Sequence, residues 1–227
     1  WVSVAAGYST SFAIKSDGTL WAWGSGTSGQ LGNGASTAYD VPTQIGSDTN
    51  WASVAAGFGH TLAIKTTGTL WGTGTNNYGQ LGDGTTTPKT TFAQIGSDTD
   101  WSVVSCHNDQ SALIKTTGTL WVAGYNFTYN LGTGTNSNVT GGFVQSGTDT
   151  YTHVSLGYDH GVALLTAGGI VVTEDVTVSG TASDVTSPSS SAGIDQVATA
   201  SAADATSIIY SPTQATSESA AAADTFE

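Results

Sequence analysis

The sequence has 227 residues, with 17 acidic residues against four lysines and no arginine, and its formal net charge is -13. Without arginine or a basic cluster it cannot neutralise a row of phosphates, which excludes nucleic acid as a partner. The single cysteine, Cys106, excludes an internal disulfide and a multi-cysteine metal site, and the chain lacks the long apolar run of a membrane span.

A repeat of 50 residues organises the first three quarters of the chain. Abundant glycine and few charges favour turn-rich β structure over helix, with three or four short strands in each unit. Such a unit cannot bury its apolar side chains alone, so neighbouring units must pack on one another. The units are 1–50, 51–100, 101–150 and the partial unit 151–172, and they begin at Trp1, Trp51, Trp101 and Tyr151.

Each of the first three units contains the same predicted β-hairpin. In the second unit, at 63–71, two β-prone runs flank a Thr-Gly pair. Gly68 supplies the positive φ that a tight two-residue turn requires. Tryptophans in register with the repeat are predicted to lie in the core, because a sheet between two others is buried on both faces. They are Trp1, Trp21, Trp51, Trp71, Trp101 and Trp121.

Val-Ala-Ala-Gly and Gly-Thr-Leu-Trp recur in the same order and spacing, and the second unit combines them with His-Thr-Leu-Ala-Ile at 60–64 and Gly-Gln-Leu-Gly-Asp-Gly at 79–84. Together they resemble the repeat of the regulator of chromosome condensation (RCC1) family, over residues 1 to about 172. The resemblance implies a β-propeller, and family members of this kind have seven blades. With about three and a half units, we expect a partial propeller. Three arrangements stay open: a ring shared by two chains, a ring completed by flanking sequence, and an open stack capped by other proteins.

The third unit departs from the others in the loop after its hairpin. Tyr125, Phe127 and Tyr129 alternate there, at positions where the first two units have small or polar residues. Alternation would place all three on one side of an extended segment, as a flat apolar surface suited to stacking on a sugar or a partner protein. Trp23 also lacks a tryptophan counterpart in the other units. We therefore predict binding residues at Tyr125, Phe127, Tyr129 and Trp23; packing of the loop on the tail or on an adjoining subunit is the alternative.

Other polar patterns in the repeat indicate structural roles. His60 and His160 share one phase of the repeat with Thr10 and Gln110, which is typical of a repeated hydrogen-bonding position. Acidic residues in the loops between units, such as Asp48, offer too few oxygens for calcium, and we expect them to cap their own turns.

No motif indicates catalysis, a metal or a cofactor. The string at 24–29 fits G-x-G-x-x-G, but no helix pattern follows it, so it does not predict a dinucleotide site. His107 and His153 lack a cysteine or acidic partner at ligand spacing. We therefore expect no catalytic residue, no metal ligand and no cofactor, and predict that the protein is not an enzyme.

The last part of the chain, 173–227, differs in composition from the repeats. Ala, Ser and Thr make up 32 of its 55 residues, and it has eight acidic residues and no lysine. Two apolar runs, 176–178 and 208–210, are each long enough for one strand. The composition predicts a flexible acidic low-complexity tail, and the alternative is an arm that docks on a neighbouring subunit.

These features predict a non-catalytic structural or binding module that mediates assembly or attachment. Low charge density, the lack of arginine and near-identical tandem units favour display on a phage particle or bacterial surface, and hence an extracellular, virion or cell-surface location. The expected partners are other protein subunits and a surface glycan. The resemblance implies one alternative, a regulator that promotes guanine-nucleotide exchange on a small GTPase through a propeller face.

Overall fold

The computed structural model describes residues 1–158, 160–166, 170–173, 196–200 and 208–210. The regular elements of this part are β-strands, arranged as four antiparallel sheets in which strands adjacent in sequence pair. No helix that could cross a membrane occurs among these residues. The all-β repeat architecture predicted from the sequence is confirmed, with one sheet for each unit.

The strand bounds are as follows. The first sheet contains β1 (Ser3–Ala6), β2 (Thr10–Ile14), β3 (Leu20–Gly24) and β4 (Tyr39–Gln44). The second contains β5 (Trp51–Ala56), β6 (His60–Lys65), β7 (Leu70–Gly74) and β8 (Lys89–Ile95). The third contains β9 (Trp101–His107), β10 (Gln110–Lys115), β11 (Leu120–Gly124) and β12 (Val139–Gln145). The fourth contains β13 (Tyr151–Leu156), β14 (Gly161–Leu165), β15 (Ile170–Thr173), β16 (Gln196–Ala200) and β17 (Ile208–Tyr210).

Two strands of the fourth sheet come from the segment that the sequence analysis assigned to the tail. β16 pairs with β15, and β17 pairs with β16, both antiparallel. The apolar run at 208–210 therefore forms a strand, whereas the run at 176–178 lies outside the described residues.

Each sheet packs on the next in the same way. We call the face that packs on the preceding sheet the front face, and the opposite one the back face. At the first junction Phe12, Ile14 and Leu20 on the back of the first sheet meet Trp51 and Val54 on the front of the second, and all five are buried. The other two junctions contain equivalent clusters. The sheets thus shelter one another from water, as the repeat requires.

In the first two units the glycine-rich part of the loop after the third strand covers the fourth strand of the following unit. In the first unit this part is 29–34, and Gly34 N donates a hydrogen bond to Thr90 O over 2.8 Å. Gly32 has φ +69°, and a Cβ atom on it would lie 2.5 Å from the Phe92 ring. The repeated Gly-Gln-Leu-Gly sequence therefore supplies both a left-handed turn and a close approach that only glycine allows.

An ion-pair and cation–π cluster joins one unit to the next. Lys65 Nζ lies 3.8 Å from the ring centroid of Trp71 and 4.7 Å from that of Trp51. It also donates to Asp48 Oδ2 over 2.7 Å. The expectation that Asp48 caps its own turn is therefore wrong, because its carboxylate pairs with the lysine of the following hairpin. The third unit repeats the cluster with Lys115, Trp101, Trp121, Asp98 and Asp100.

The repeated polar position at 60 and 110 is hydrogen-bonded between sheets, as predicted. His60 is 1% exposed, and its Nε2 lies 2.9 Å from Ser111 Oγ of the third sheet. Burial lowers the pKa of His60 to about 4, so the ring is neutral at pH 7. Gln110 is also buried, and its Nε2 donates to Tyr158 O of the fourth sheet over 3.2 Å.

Candidate binding surfaces

The front face of the first sheet exposes side chains whose counterparts are buried in the next sheet. Trp1 is 61% exposed and Val4 is 75% exposed, whereas Trp51 and Val54 are 4% and 7% exposed. Within the described part of the chain no sheet precedes the first, which is why these side chains face solvent. The prediction that Trp1 lies in the core is therefore wrong, although it holds for Trp51.

Trp23 lies on this same front face. It is half-buried on β3, opposite Ser11 of β2, and shares its side of the strand with Trp21. In the second sheet the position of Ser11 is occupied by Thr61, whose Oγ1 donates to Gln30 O in the loop of the preceding unit over 2.8 Å. The front face of the first sheet therefore combines apolar side chains with the hydroxyl that elsewhere bonds a preceding unit.

The back face of the fourth sheet is exposed at one comparable position. Leu164 is 38% exposed, whereas the isoleucines at the same register in the other sheets are almost completely buried. These are Ile14, Ile64 and Ile114, which are 0%, 3% and 1% exposed. The first sheet thus exposes a front face and the fourth sheet exposes a back face, and these are the two faces that pack together at each internal junction.

A second surface, which we call the aromatic groove, lies at one end of the second, third and fourth sheets. It has a volume of about 400 Å³. Its walls come from turns and loops of three units, since β-hairpin turns and the loops after third strands meet at this end. The lining residues are Phe58, Tyr78, Asn108, Asp109, Tyr125 and Tyr158.

Backbone hydrogen bonds hold these turns against one another. Phe58 N donates to Asn108 O over 2.8 Å, which ties the β5–β6 turn to the β9–β10 turn. Asn108 has φ +43°, in the left-handed region that asparagine tolerates better than most residues. Tyr125 N donates to Asp109 O over 2.9 Å, which fixes the start of the loop after β11.

The side chain of Gln80 hydrogen-bonds to two residues of the groove lining, Tyr78 and Asp109. It is 1% exposed, its Oε1 accepts a hydrogen bond from Tyr78 N, and its Nε2 donates to Asp109 Oδ1, both over 2.9 Å. Burial raises the pKa of the Asp109 carboxyl, and the bond from Gln80 opposes that shift. The backbone at Tyr78 and the carboxylate of Asp109 are therefore both held by one buried amide.

The structure brings two of the predicted loop aromatics together. Tyr125 lines the groove edge-on to Tyr78, with centroids 5.3 Å apart, and Phe127 contacts Tyr125 at 5.3 Å. Tyr129 has φ +61° and donates from its N to Asn126 O over 3.1 Å, so the segment turns and is not extended as the alternation had indicated. The role of these residues in binding stays a prediction.

The sequence analysis missed the other five groove residues, which come from the second, third and fourth units. Phe58 and Tyr158 share a phase of the repeat with Tyr8, so a recurring aromatic at the first hairpin turn was visible in the sequence. Tyr78 occurs once in its phase and gave no such signal, and Asp109 has a counterpart only in Asp159 of the fourth unit. No group of three or more His, Cys, Asp or Glu side chains among the described residues could hold a metal ion.

Comparison with protein families identifies the repeat. A model described as "Regulator of chromosome condensation (RCC1) repeat" matches residues 17–64. A second model with the same description matches residues 1–30 and 51–80. The matched residues contain the hairpins of the first two units and the glycine-rich loop of the first.

Solved structures resemble the described part of the chain. Human WBSCR16 matches with a TM-score of 0.67 and 24% identity, over 75% of this chain and 46% of that one. Prp20p from Saccharomyces cerevisiae, described with its binding properties to Gsp1p and histones, matches with a TM-score of 0.65 and 20% identity, over 75% of this chain and 44% of that one. Yeast RCC1 (Prp20) bound to Kap60 matches with a TM-score of 0.64 and 19% identity, over 75% of this chain and 43% of that one.

At these identities the likeness shows the fold, and this chain spans less than half the length of each of these proteins. The predicted partial propeller is therefore confirmed: the repeated part of the chain is an RCC1-like repeat segment that forms part of a β-propeller.

Proposed function

We propose that the chain is a non-catalytic binding module that assembles with other protein subunits, with the front face of its first sheet covered by the fourth sheet of a second copy. One observation carries the proposal: Val4 is 75% exposed on the first sheet, whereas Val54 at the same register of the second sheet is 7% exposed. An apolar sheet face of this kind marks an interaction surface.

The three internal junctions define what this face accepts. Each pairs a front face with a back face, and the first two add a hydroxyl that bonds the loop of the preceding unit, as Thr61 bonds Gln30 O and Ser111 bonds Gln80 O. The first sheet offers Ser11 at this position, and the back of the fourth sheet offers exposed Leu164. The best match to the open front face is therefore an RCC1-type back face, which a second copy supplies.

In the proposed assembly, two copies form a closed ring. Because the two contacting surfaces differ, the interface is heterologous, and such interfaces form either a ring or an open filament. Two copies with four sheets each bring eight blades, which is within the range of about four to eight that propellers use. A ring shared between two chains was one of the three arrangements that the repeat count left open.

We place this module on a phage particle or a bacterial surface, where it mediates assembly or attachment and where a surface glycan is a second partner. The support comes from composition, with 9% charged residues, no arginine and near-identical tandem units. Labelling of intact particles or cells with an antibody against the chain tests this location. Labelling that appears only after lysis would contradict it.

Multi-angle light scattering of the purified 22.9 kDa chain tests the assembly. We expect a mass of two copies for the unmodified chain and of one copy for Val4→Asp, since a carboxylate cannot be buried in this apolar junction. Val41→Asp is the matched control, because Val41 is also exposed but lies on β4. A folded, monomeric unmodified chain would overturn the proposal, and an open series of larger species would overturn the closed pair.

A further inference from the structure

We infer that the aromatic groove is a binding site for a neutral sugar chain. The inference deepens the attachment role proposed above by naming the class of glycan and the residues that hold it. It uses a surface distinct from the front face of the first sheet, so assembly and sugar binding can be tested separately.

The lining of the groove has the composition that a pyranose requires. Four aromatic rings, those of Phe58, Tyr78, Tyr125 and Tyr158, offer flat apolar surfaces for the C–H faces of sugar rings. A small number of polar groups among apolar walls is the usual arrangement of a ligand site. Here the carboxylate of Asp109 accepts hydrogen bonds from sugar hydroxyls, and the amides and phenols both donate and accept.

Charge excludes anionic ligands from this groove. Asp109 is the one acidic side chain among the lining residues, and no lysine is among them. The lysines are engaged elsewhere in the described part: three lie over tryptophan rings, and Lys89 Nζ pairs with Asp83 Oδ2 at 2.6 Å. A sulfated or carboxylated sugar, or a phosphate, would face an uncompensated carboxylate.

The groove uses side chains that the first two units lack. Asp109 is replaced by Ser9 in the first unit and Gly59 in the second, although it recurs as Asp159 in the fourth, and Tyr125 is replaced by Ser25 and Thr75. If these side chains only packed the units together, the residues of the first two units would serve equally well at their positions. The aromatic and acidic residues are therefore a local addition to a repeated scaffold.

The groove is also organised before any ligand arrives. Gln80, almost completely buried, fixes both the backbone at Tyr78 and the Asp109 carboxylate, and Phe127 packs on the edge of Tyr125. Rings held in place lose little side-chain entropy on binding, which favours affinity for a flexible glycan.

A printed array of neutral and acidic glycans, followed by calorimetry with the soluble oligosaccharide that binds best, tests the inference. We expect the array to retain neutral glycans. Tyr78→Ala should weaken binding about tenfold, as expected for the loss of one stacking ring together with the apolar area it covers. Asp109→Asn keeps an acceptor for Gln80 and should weaken binding without unfolding the chain.

Two controls separate this site from its surroundings. Val144→Ala shortens an exposed apolar side chain of β12 outside the groove lining and should leave affinity unchanged. Val4→Asp should also bind sugar normally, even where assembly is lost. The inference is overturned if no neutral glycan is retained, if acidic glycans bind better, or if Tyr78→Ala and Asp109→Asn, both folded by circular dichroism, bind like the unmodified chain.

Discussion

His60 makes the stability of the fold depend on pH. Its pKa is lowered from 6.5 to about 4 by burial, so below pH 6.5 the unfolded chain takes up a proton that the folded chain does not accept. Above pH 6.5, His60 therefore leaves the free energy of unfolding unchanged. By pH 4 it lowers the free energy of unfolding by about 3 kcal/mol. Urea unfolding as a function of pH measures this loss.

Carboxylates also titrate in this range, so the comparison needs a variant without the imidazole. His60→Gln introduces the residue that the third unit has at position 110 and removes the titrating group. We expect the variant to lose less stability than the unmodified chain between pH 6.5 and pH 4. Parallel pH curves for the two proteins would contradict a neutral, desolvated His60.

Gly32 and Gly34 separate the two reasons for glycine in the recurring loop. Both have positive φ, +69° and +81°, so alanine at either costs about 1 kcal/mol in backbone strain. A Cβ at Gly32 would also meet the Phe92 ring at 2.5 Å, whereas at Gly34 the nearest atom lies 3.6 Å away. We expect Gly32→Ala to lower the free energy of unfolding by about 2 kcal/mol more than Gly34→Ala.

Guanidinium or urea titration of the two single variants measures this difference. Equal losses would show that the loop moves away from Phe92 at no cost, and that backbone conformation alone selects glycine here.

At the scale of one element, the lysine–tryptophan cluster of each hairpin should stabilise the folded chain more strongly where it is more deeply buried. The Lys65 side chain is 8% exposed beside buried Trp51, whereas Lys15 lies over Trp21 and the largely exposed Trp1. Cation–π contacts are worth about 2 kcal/mol when desolvated and about 0.5–1 kcal/mol when exposed. Lys65→Ala should therefore destabilise the chain more than Lys15→Ala.

Chemical unfolding followed by tryptophan fluorescence measures both losses. An equal effect of the two substitutions would mean that burial of the neighbouring tryptophan does not strengthen the contact.

The hairpins could be predicted from the sequence because their signal is local. A glycine after Asp or Thr between two β-prone runs predicts the turn, and Gly18, Gly68 and Gly118 all have positive φ. The predicted two-residue length is wrong, because Lys65 N donates to Thr69 O and three residues, 66–68, lie between them. The strands that follow the long loops, such as β8, lie within the repeat but carry weaker patterns. The loop at 125–129 was misjudged because alternation of side chains was taken for a strand where hydrogen bonds form a turn.

The aromatic groove could be predicted only in part. Tyr125 was identified because it breaks the repeat within its own unit. Tyr78, Asp109 and Tyr158 lie in other positions of three units, and they come together only through the packing of one sheet on the next. Such proximity depends on the geometry of the junctions, which a single sequence does not contain.

For the whole molecule, the open front face of the first sheet should make thermal stability depend on protein concentration. If two copies bury each other's exposed faces, association stabilises the folded state by mass action, by about 1.4 kcal/mol for each tenfold rise in concentration. Calorimetry over a hundredfold range of concentration should show a rising Tm for the unmodified chain. Val4→Asp should give one Tm throughout, and a constant Tm for the unmodified chain would contradict the shared interface.

Because the first two junctions are alike, one unit can be removed without changing the kind of contact between the units that remain. Thr61 and Ser111 each present a hydroxyl to a glutamine carbonyl of the unit before. Excision of residues 51–100 would set Ser111 against Gln30 and Phe143 against Gly32, which are the same chemical matches. A chain that lost one unit in this way should therefore still fold, so that the number of units can change by whole units.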